Sequence, residues 1–171
     1  MLKAGLFAGQ RLELLDGDLI DKMGQNPPHS YAIRLVLGWL AKILEPGRIL
    51  VQSPIEAGGP DRKWSLPEPD VAVLAESKEE YRHRHPRGEE LVLVIEVSDT
   101  SLQFDTTTKR DLYARAGVPE YWVLDVVGRQ LTIHRKPLKG RFTQTETLSE
   151  HDTALAGIEG QSAIAVAALL P

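Results

Sequence analysis

Leu91-Val92-Leu93-Val94-Ile95-Glu96-Val97-Ser98 is the stretch on which the fold turns. A short, unbroken apolar run rich in Val and Ile reads as a strand covered on both faces, in the middle of a sheet. Glu96 intrudes on it. A carboxylate there is costly unless its charge is compensated. The simplest compensation is a cation, either a basic side chain or a bound metal. Alternation along the strand places Val92, Val94, Glu96 and Ser98 on one face.

Upstream, Pro67-Glu68-Pro69 introduces the next strand, Asp70-Val71-Ala72-Val73-Leu74. Residues 48–56 read as a strand whose Pro54 pushes its end to an edge or bulge. Pro27-Pro28-His29-Ser30 opens a helix running to about Glu45, where Pro46-Gly47 stops it. Its core face is Ile33, Val36, Leu37, Leu40 and Leu44, broadened by Trp39 and Ile43. His29, at the helix entrance, reads as a surface or capping residue. Leu12-Glu13-Leu14-Leu15 and Asp18-Leu19-Ile20 flank Asp16-Gly17, the pattern of a tight hairpin. Glu13 faces opposite to Leu12 and Leu14, and pattern alone turns it to solvent.

Downstream, Asp105-Thr106-Thr107-Thr108 resembles a helix start with Asp105 as its cap. That helix reaches Ala116, with Gly117 and Pro119 ending it. Residues 120–127 read as a strand, turned by Gly128-Arg129-Gln130 into Leu131-Thr132-Ile133-His134. Residues 141–145 read as an edge strand, and 163–170 as an apolar tail of no firm type. The expectation is one α/β or α+β domain over residues 1–171, a mixed β-sheet flanked by helices.

The totals narrow the chemistry. At 171 residues, with 42% hydrophobic and 26% charged, the chain suits one domain with a real core. It has no Cys, which excludes disulfides, thiolate zinc sites and cysteine nucleophiles. Lys and Arg number 20 against 24 Asp and Glu, so a nucleic acid has to meet a local positive patch. The densest is Arg82-His83-Arg84-His85-Pro86-Arg87, and Arg82, Arg84 and Arg87 are the candidates for phosphate contacts. The N-terminus lacks a signal peptide's apolar core, and no segment approaches the ~20 apolar residues of a membrane span. A cytoplasmic protein is expected.

If the strands of Asp70 and Glu96 are neighbours, their carboxylates converge. A pair that close needs a proton or a cation between its members, and Mg²⁺ is characteristically held by one or two carboxylates. Lys109 lies three and four residues before Leu112 and Tyr113, on the inward face of its helix. Asp, Glu and Lys together suit phosphodiester hydrolysis. A metal polarises the phosphate and activates water, while an ammonium orients that water or offsets developing charge. A plain Glu96–Lys109 ion pair explains the same pattern. Tyr113 and Trp122 follow the apolar pattern and read as core. Metal-free acid–base hydrolysis by the two carboxylates finds no sugar-binding aromatic pattern in support.

The ordered features are Leu12-Glu13-Leu14-Leu15-Asp16-Gly17, His29, Pro69-Asp70-Val71-Ala72-Val73, Val94-Ile95-Glu96-Val97-Ser98, Asp105 with Lys109 and Tyr113, and Gly117-Val118-Pro119-Glu120-Tyr121-Trp122-Val123-Leu124-Asp125. Together they resemble the Uma2 family of putative restriction endonucleases, over roughly residues 10 to 135. The run from Tyr113 to Asp125 is the most distinctive part. The resemblance implies a restriction endonuclease-like PD-(D/E)XK core and Mg²⁺- or Mn²⁺-dependent cleavage of DNA. It implies Asp70 and Glu96 as metal ligands, with the Val97 backbone carbonyl as a further one. Ser98 stands where the usual lysine would be, and Lys109 on the following helix takes over. Glu13 matches an N-terminal acidic position and joins the catalytic set directly or through water. A homodimer is expected, because a two-strand cut calls for two sites. The alternative is a catalytically inactive nuclease-fold module that binds nucleic acid or protein.

Overall fold

The computed structural model describes residues 12–21, 26–158 and 162–171. Leu12–Leu15 (β1) and Asp18–Asp21 (β2) pair antiparallel around Asp16 and Gly17. Both turn residues are left-handed, φ 49° and 94°, which matches the twist of the flanking strands. Helix α1 (Pro27–Leu40) starts at Asn26, whose side chain accepts from the His29 amide at 3.1 Å. It stops at Leu40 rather than near Glu45, and the chain continues in turns through Leu44. Ile33, Val36, Trp39 and Leu40 are buried, Leu37 and Leu44 pack partly, and Ile43 is exposed instead of core.

Among the described residues the main sheet has six strands. They are β3 (Ile49–Val51), β4 (Val71–Leu74), β5 (Leu91–Ser98), β6 (Glu120–Asp125), β7 (Gln130–Leu138) and β8 (Arg141–Ser149), in that spatial order. Only β5 and β6 are parallel neighbours; the other pairs are antiparallel. The sheet is thus mixed, and β5 is paired on both edges as its apolar run requires. β3 is shorter than the expected strand over 48–56, because Gln52 takes a left-handed φ of 46°. β8 runs past Thr145 to Ser149, an exposed edge with little apolar alternation to mark its length. Thr153–Leu155 (β9) pairs with Ala163–Ala165 (β10), and a short 3₁₀ turn over Val166–Leu169 follows.

A parallel pair needs a crossover, and here it is helical. Leu102–Phe104 (α2) leads through a π-helical turn, Asp105–Lys109, into Arg110–Arg115 (α3). In that turn the Arg110 amide bonds the Asp105 carbonyl, five residues back. π-turns inside helices are frequent at functional sites.

Each face of the sheet carries its own core. Val71, Val73, Leu93, Ile95, Val97, Trp122 and Leu124 pack under α1 and the C-terminal segment, where Trp39 stacks on Trp122 at 5.5 Å. Ala72, Leu74, Val94, Tyr121 and Val123 face Tyr113 and Ala116 of the crossover. The expected alternation of β5 holds from Val94 to Ser98 but not at Val92, which packs on the α1 side. A bulge explains the difference: Val73 pairs with Leu93 and Leu74 with Leu91, leaving Val92 extra. No described helix is long and apolar enough to cross a membrane.

Candidate functional site

Asp70 and Glu96 meet because β4 and β5 are adjacent, with Val71 opposite Ile95. The Asp70 amide donates to Glu96 Oε2 at 3.3 Å, and the Val97 amide donates to Asp70 Oδ2 at 3.0 Å. Glu96 shares its face with Val94 and points at the crossover helix. There the π-turn sets Lys109 inward, and its Nζ donates to Glu96 Oε1 at 2.9 Å. Tyr113, one turn on, donates its hydroxyl to the same oxygen at 2.7 Å. Glu13 completes this side: its Oε2 lies 3.2 Å from Lys109 Nζ, while its Oε1 accepts the Glu68 amide at 2.8 Å.

Asp105 is the fourth carboxylate, 3.9 Å from Lys109 Nζ. Ser98 and Ser101 donate hydroxyls to its Oδ2 at 2.7 and 2.6 Å, and Tyr121 holds its carbonyl at 2.9 Å. Ser98 thus steadies the helical turn that delivers Lys109. On the far side of Asp70, His29 Nε2 lies 3.0 Å from Oδ2 and Gln52 Nε2 lies 3.4 Å from Oδ1. Glu13, Asp70, Glu96, Asp105 and Lys109 are all 5% exposed or less.

Burial pushes the Glu96 carboxyl above its ordinary value; Lys109 opposes this, and Asp70, Asp105 and Glu13 reinforce it. Burial also raises Asp105, against the pull of Lys109 and the two serine hydroxyls. Asp70 goes the other way. Burial would raise it, but the bond and charge of His29, the Val97 amide and Lys109 together hold it below the usual carboxylate range. Burial alone would depress Lys109, yet the carboxylates of Glu96, Glu13 and Asp105 keep it above its normal value and charged. The site therefore holds one firm cation, one firmly ionised aspartate and carboxyls that favour a proton or a second cation.

Residues 4–167 match the model of the Uma2 family, described as "Putative restriction endonuclease". The chain belongs to the Uma2 family. The match is wider than the span of roughly 10 to 135 in which the resemblance is legible by eye. Among solved structures, a nuclease from Anabaena variabilis, described as putative and belonging to DUF820, aligns with a TM-score of 0.68 at 18% identity. The alignment covers 94% of this chain and 89% of that one, and likeness at this identity establishes a shared fold. Comparison with curated proteins gave no match.

In this Uma2 chain the four expected residues, Asp70, Glu96, Lys109 and Glu13, are brought together, and Glu13 is buried rather than turned to solvent. Val97 meets Asp70 through its amide. Two further assignments change. His29 is a partner of Asp70 rather than a surface residue, because Pro27-Pro28 starts α1 against the end of β4. Asp105 is no cap: the helix already begins at Leu102, and its carboxylate is turned inward. Tyr113 is core, as its pattern says, but its hydroxyl is part of the site.

The basic candidates lie elsewhere and largely paired. Arg84 grips Glu90 through two bonds of 2.6 and 2.7 Å and Glu80 at 2.7 Å, and Arg82 meets Glu79 at 2.9 Å. Arg87 lies 3.9 Å from both Glu56 and Glu89. Five glutamates against four Lys and Arg in 76–90 leave that segment without a positive surplus. Among the described residues, no group of three or more His, Asp or Glu is arranged to hold a metal. Asp70 and Glu96, as adjacent hard oxygen donors in a site with surplus negative charge, are the residues that could hold Mg²⁺.

Proposed function

We propose that this Uma2 chain is a metal-dependent endonuclease that hydrolyses DNA phosphodiester bonds at a PD-(D/E)XK-type site, residues 1–171 acting as one nuclease domain. The supporting observation is charge balance: Glu13, Glu96 and Asp105 lie within 3.9 Å of one buried ammonium, and the buried Asp70 adjoins Glu96. A structural ion pair needs one carboxylate, and a buried surplus is costly without protons or a further cation. In this reading Asp70 and Glu96 hold Mg²⁺ or Mn²⁺, with the Val97 carbonyl and Glu13 as further ligands. The bound ion supplies electrophilic stabilisation of the phosphate and an activated water. His29 and the Val97 amide keep Asp70 ionised and oriented, and Tyr113 fixes the Glu96 carboxylate while Lys109 orients the water or offsets charge on the phosphate. The phosphate must displace cover to reach side chains this buried, and a two-strand cut calls for a homodimer.

Purified protein should nick supercoiled plasmid DNA with Mg²⁺ or Mn²⁺, not with EDTA, and lose activity as Asp70→Asn or Lys109→Ala. Loss in the Asp70 variant alone would keep the metal site and remove the lysine from the chemistry. A second reading, an inactive nuclease-fold module that binds nucleic acid or protein, has its own support. Asp70 Oδ2 and Glu96 Oε1 are each engaged by two protein groups. No cleavage on any substrate, with no Mn²⁺ binding by calorimetry, would select it.

A further inference from the structure

Two of the three tryptophans, Trp39 and Trp122, are buried against each other, whereas Trp64 is 55% exposed. A large ring left in water offers an apolar face with a polar edge for contact. Lys63 lies over its ring, Nζ 4.9 Å from the centroid. The neighbouring charges are mutually satisfied: Arg115 holds Asp16 and Asp61, and Arg62 holds Glu56. Among the described residues Lys63 has no carboxylate in ion-pair range, unlike Arg84.

Residue 64 begins a segment that runs along the hairpin into the site. The Trp64 backbone carbonyl accepts the Gly17 amide at 2.8 Å, the Leu66 amide donates to the Leu14 carbonyl at 2.8 Å, and the Glu68 amide donates to Glu13 Oε1 at 2.8 Å. Trp64 and Glu68 are four residues apart, so their Cα atoms are separated by at most about 14 Å. That is roughly four steps of a stacked nucleotide strand.

We propose that Trp64, with Lys63, is a stacking platform for an unpaired base of a nucleic-acid strand whose backbone runs on toward Glu13, Asp70 and Glu96. The inference rests on the nuclease reading and adds a substrate preference to it: single-stranded or locally opened nucleic acid. A base can cover the ring by displacing the Lys63 ammonium from above it, and the ammonium then meets the adjoining phosphate. Trp64 then binds without regard to sequence, and the duplex, whose bases are already stacked, gains nothing from it.

The test uses the full chain carrying Asp70→Asn in EDTA, so that nothing is cut, with a fluorescein-labelled single-stranded DNA 12-mer and its duplex. The single strand is expected to bind more tightly than the duplex and to quench tryptophan emission, since Trp39 and Trp122 are out of reach. Adding Trp64→Ala should weaken strand binding about 5- to 100-fold. Trp64→Phe should restore most of it, and Lys63→Ala should lower the slope of log affinity against log salt by about 0.7. Equal binding with and without the ring, or preference for duplex, overturns the platform. If the native protein still cuts plasmid, the nuclease reading survives that failure. Strand binding through Trp64 without cleavage by the native protein has the converse meaning. A change of oligomeric state in the Trp64→Ala variant, with strand binding unaltered, assigns the ring to a protein contact and overturns the proposal.

Discussion

Replacing Lys109 with methionine tests the electrostatics of the site apart from catalysis. Methionine keeps the length and apolar stem of the side chain but leaves Glu13, Glu96 and Asp105 around it without their shared cation. The lost contacts are at 2.9, 3.2 and 3.9 Å. At an effective dielectric constant of about 20, each has a gross attraction of about 4–6 kcal/mol. Desolvation of the ammonium offsets most of that sum, and removing one member of a buried pair leaves a net loss of about 3–5 kcal/mol. For a chain of this size the fall in Tm is about 6–20 °C. The loss should depend on pH. Carboxyls without their cation take up protons in the folded state at pH values where the unfolded chain has released them, so the variant gains stability as pH falls from 8 to 5. Urea denaturation followed by circular dichroism at both pH values reads this directly. Adding Glu96→Gln should recover at least about 1 kcal/mol, because the two changes share one interaction. A loss below about 1 kcal/mol that is independent of pH and additive with Glu96→Gln would refute the picture of one ammonium holding apart several carboxylates.

His29→Ala should raise the Asp70 carboxyl pKa, since the ring is the main force against burial there; a carbon-13 NMR titration checks this, and Mn²⁺ affinity should fall about 10- to 100-fold. His134 is stacked by Tyr121 and Phe142, and burial, aided by Arg110, lowers its pKa from 6.5 to about 4. A depressed histidine stabilises the fold fully above pH 6.5 and loses that contribution as pH falls to about 4, up to roughly 3 kcal/mol; His134→Phe should flatten the denaturation profile in that window. Gly88→Ala places a Cβ 2.5 Å from the Ala116 carbonyl oxygen and 2.8 Å from its Cβ, and urea denaturation should show a loss of about 1–3 kcal/mol.

Glu96 and Lys109 were legible because each is a charge where the local pattern demands an apolar residue, and Asp70 because it opens the strand expected beside that of Glu96. Glu13 misleads for a related reason. Its alternation with leucines marks a two-faced hairpin, but the face opposite Leu12 and Leu14 lies against the site instead of water. His29 carries no periodic signal in a first helical turn, and its partner is 41 residues away. Asp105 imitates a cap because an aspartate four residues before an inward lysine resembles one before an ordinary helix. Only the π-turn separates the two cases. The strands themselves follow from their apolar runs, but their spatial order, the Val92 bulge and the length of β8 depend on pairing partners that local pattern does not encode.

The parallel junction between β5 and β6 in the main sheet bears on how such proteins are found and compared. It obliges the chain to return along the sheet through a helix laid over the face that Glu96 presents. Any inward position near the start of that helix can bring an ammonium to the carboxylate. On the proposed nuclease reading, the position of that ammonium along the chain is free to vary while its place in space is fixed. A search keyed to a lysine two residues after the glutamate passes over this chain, where Ser98 fills that slot and the lysine stands thirteen residues from Glu96. Relatives of this kind are better sought by the crossover than by the spacing.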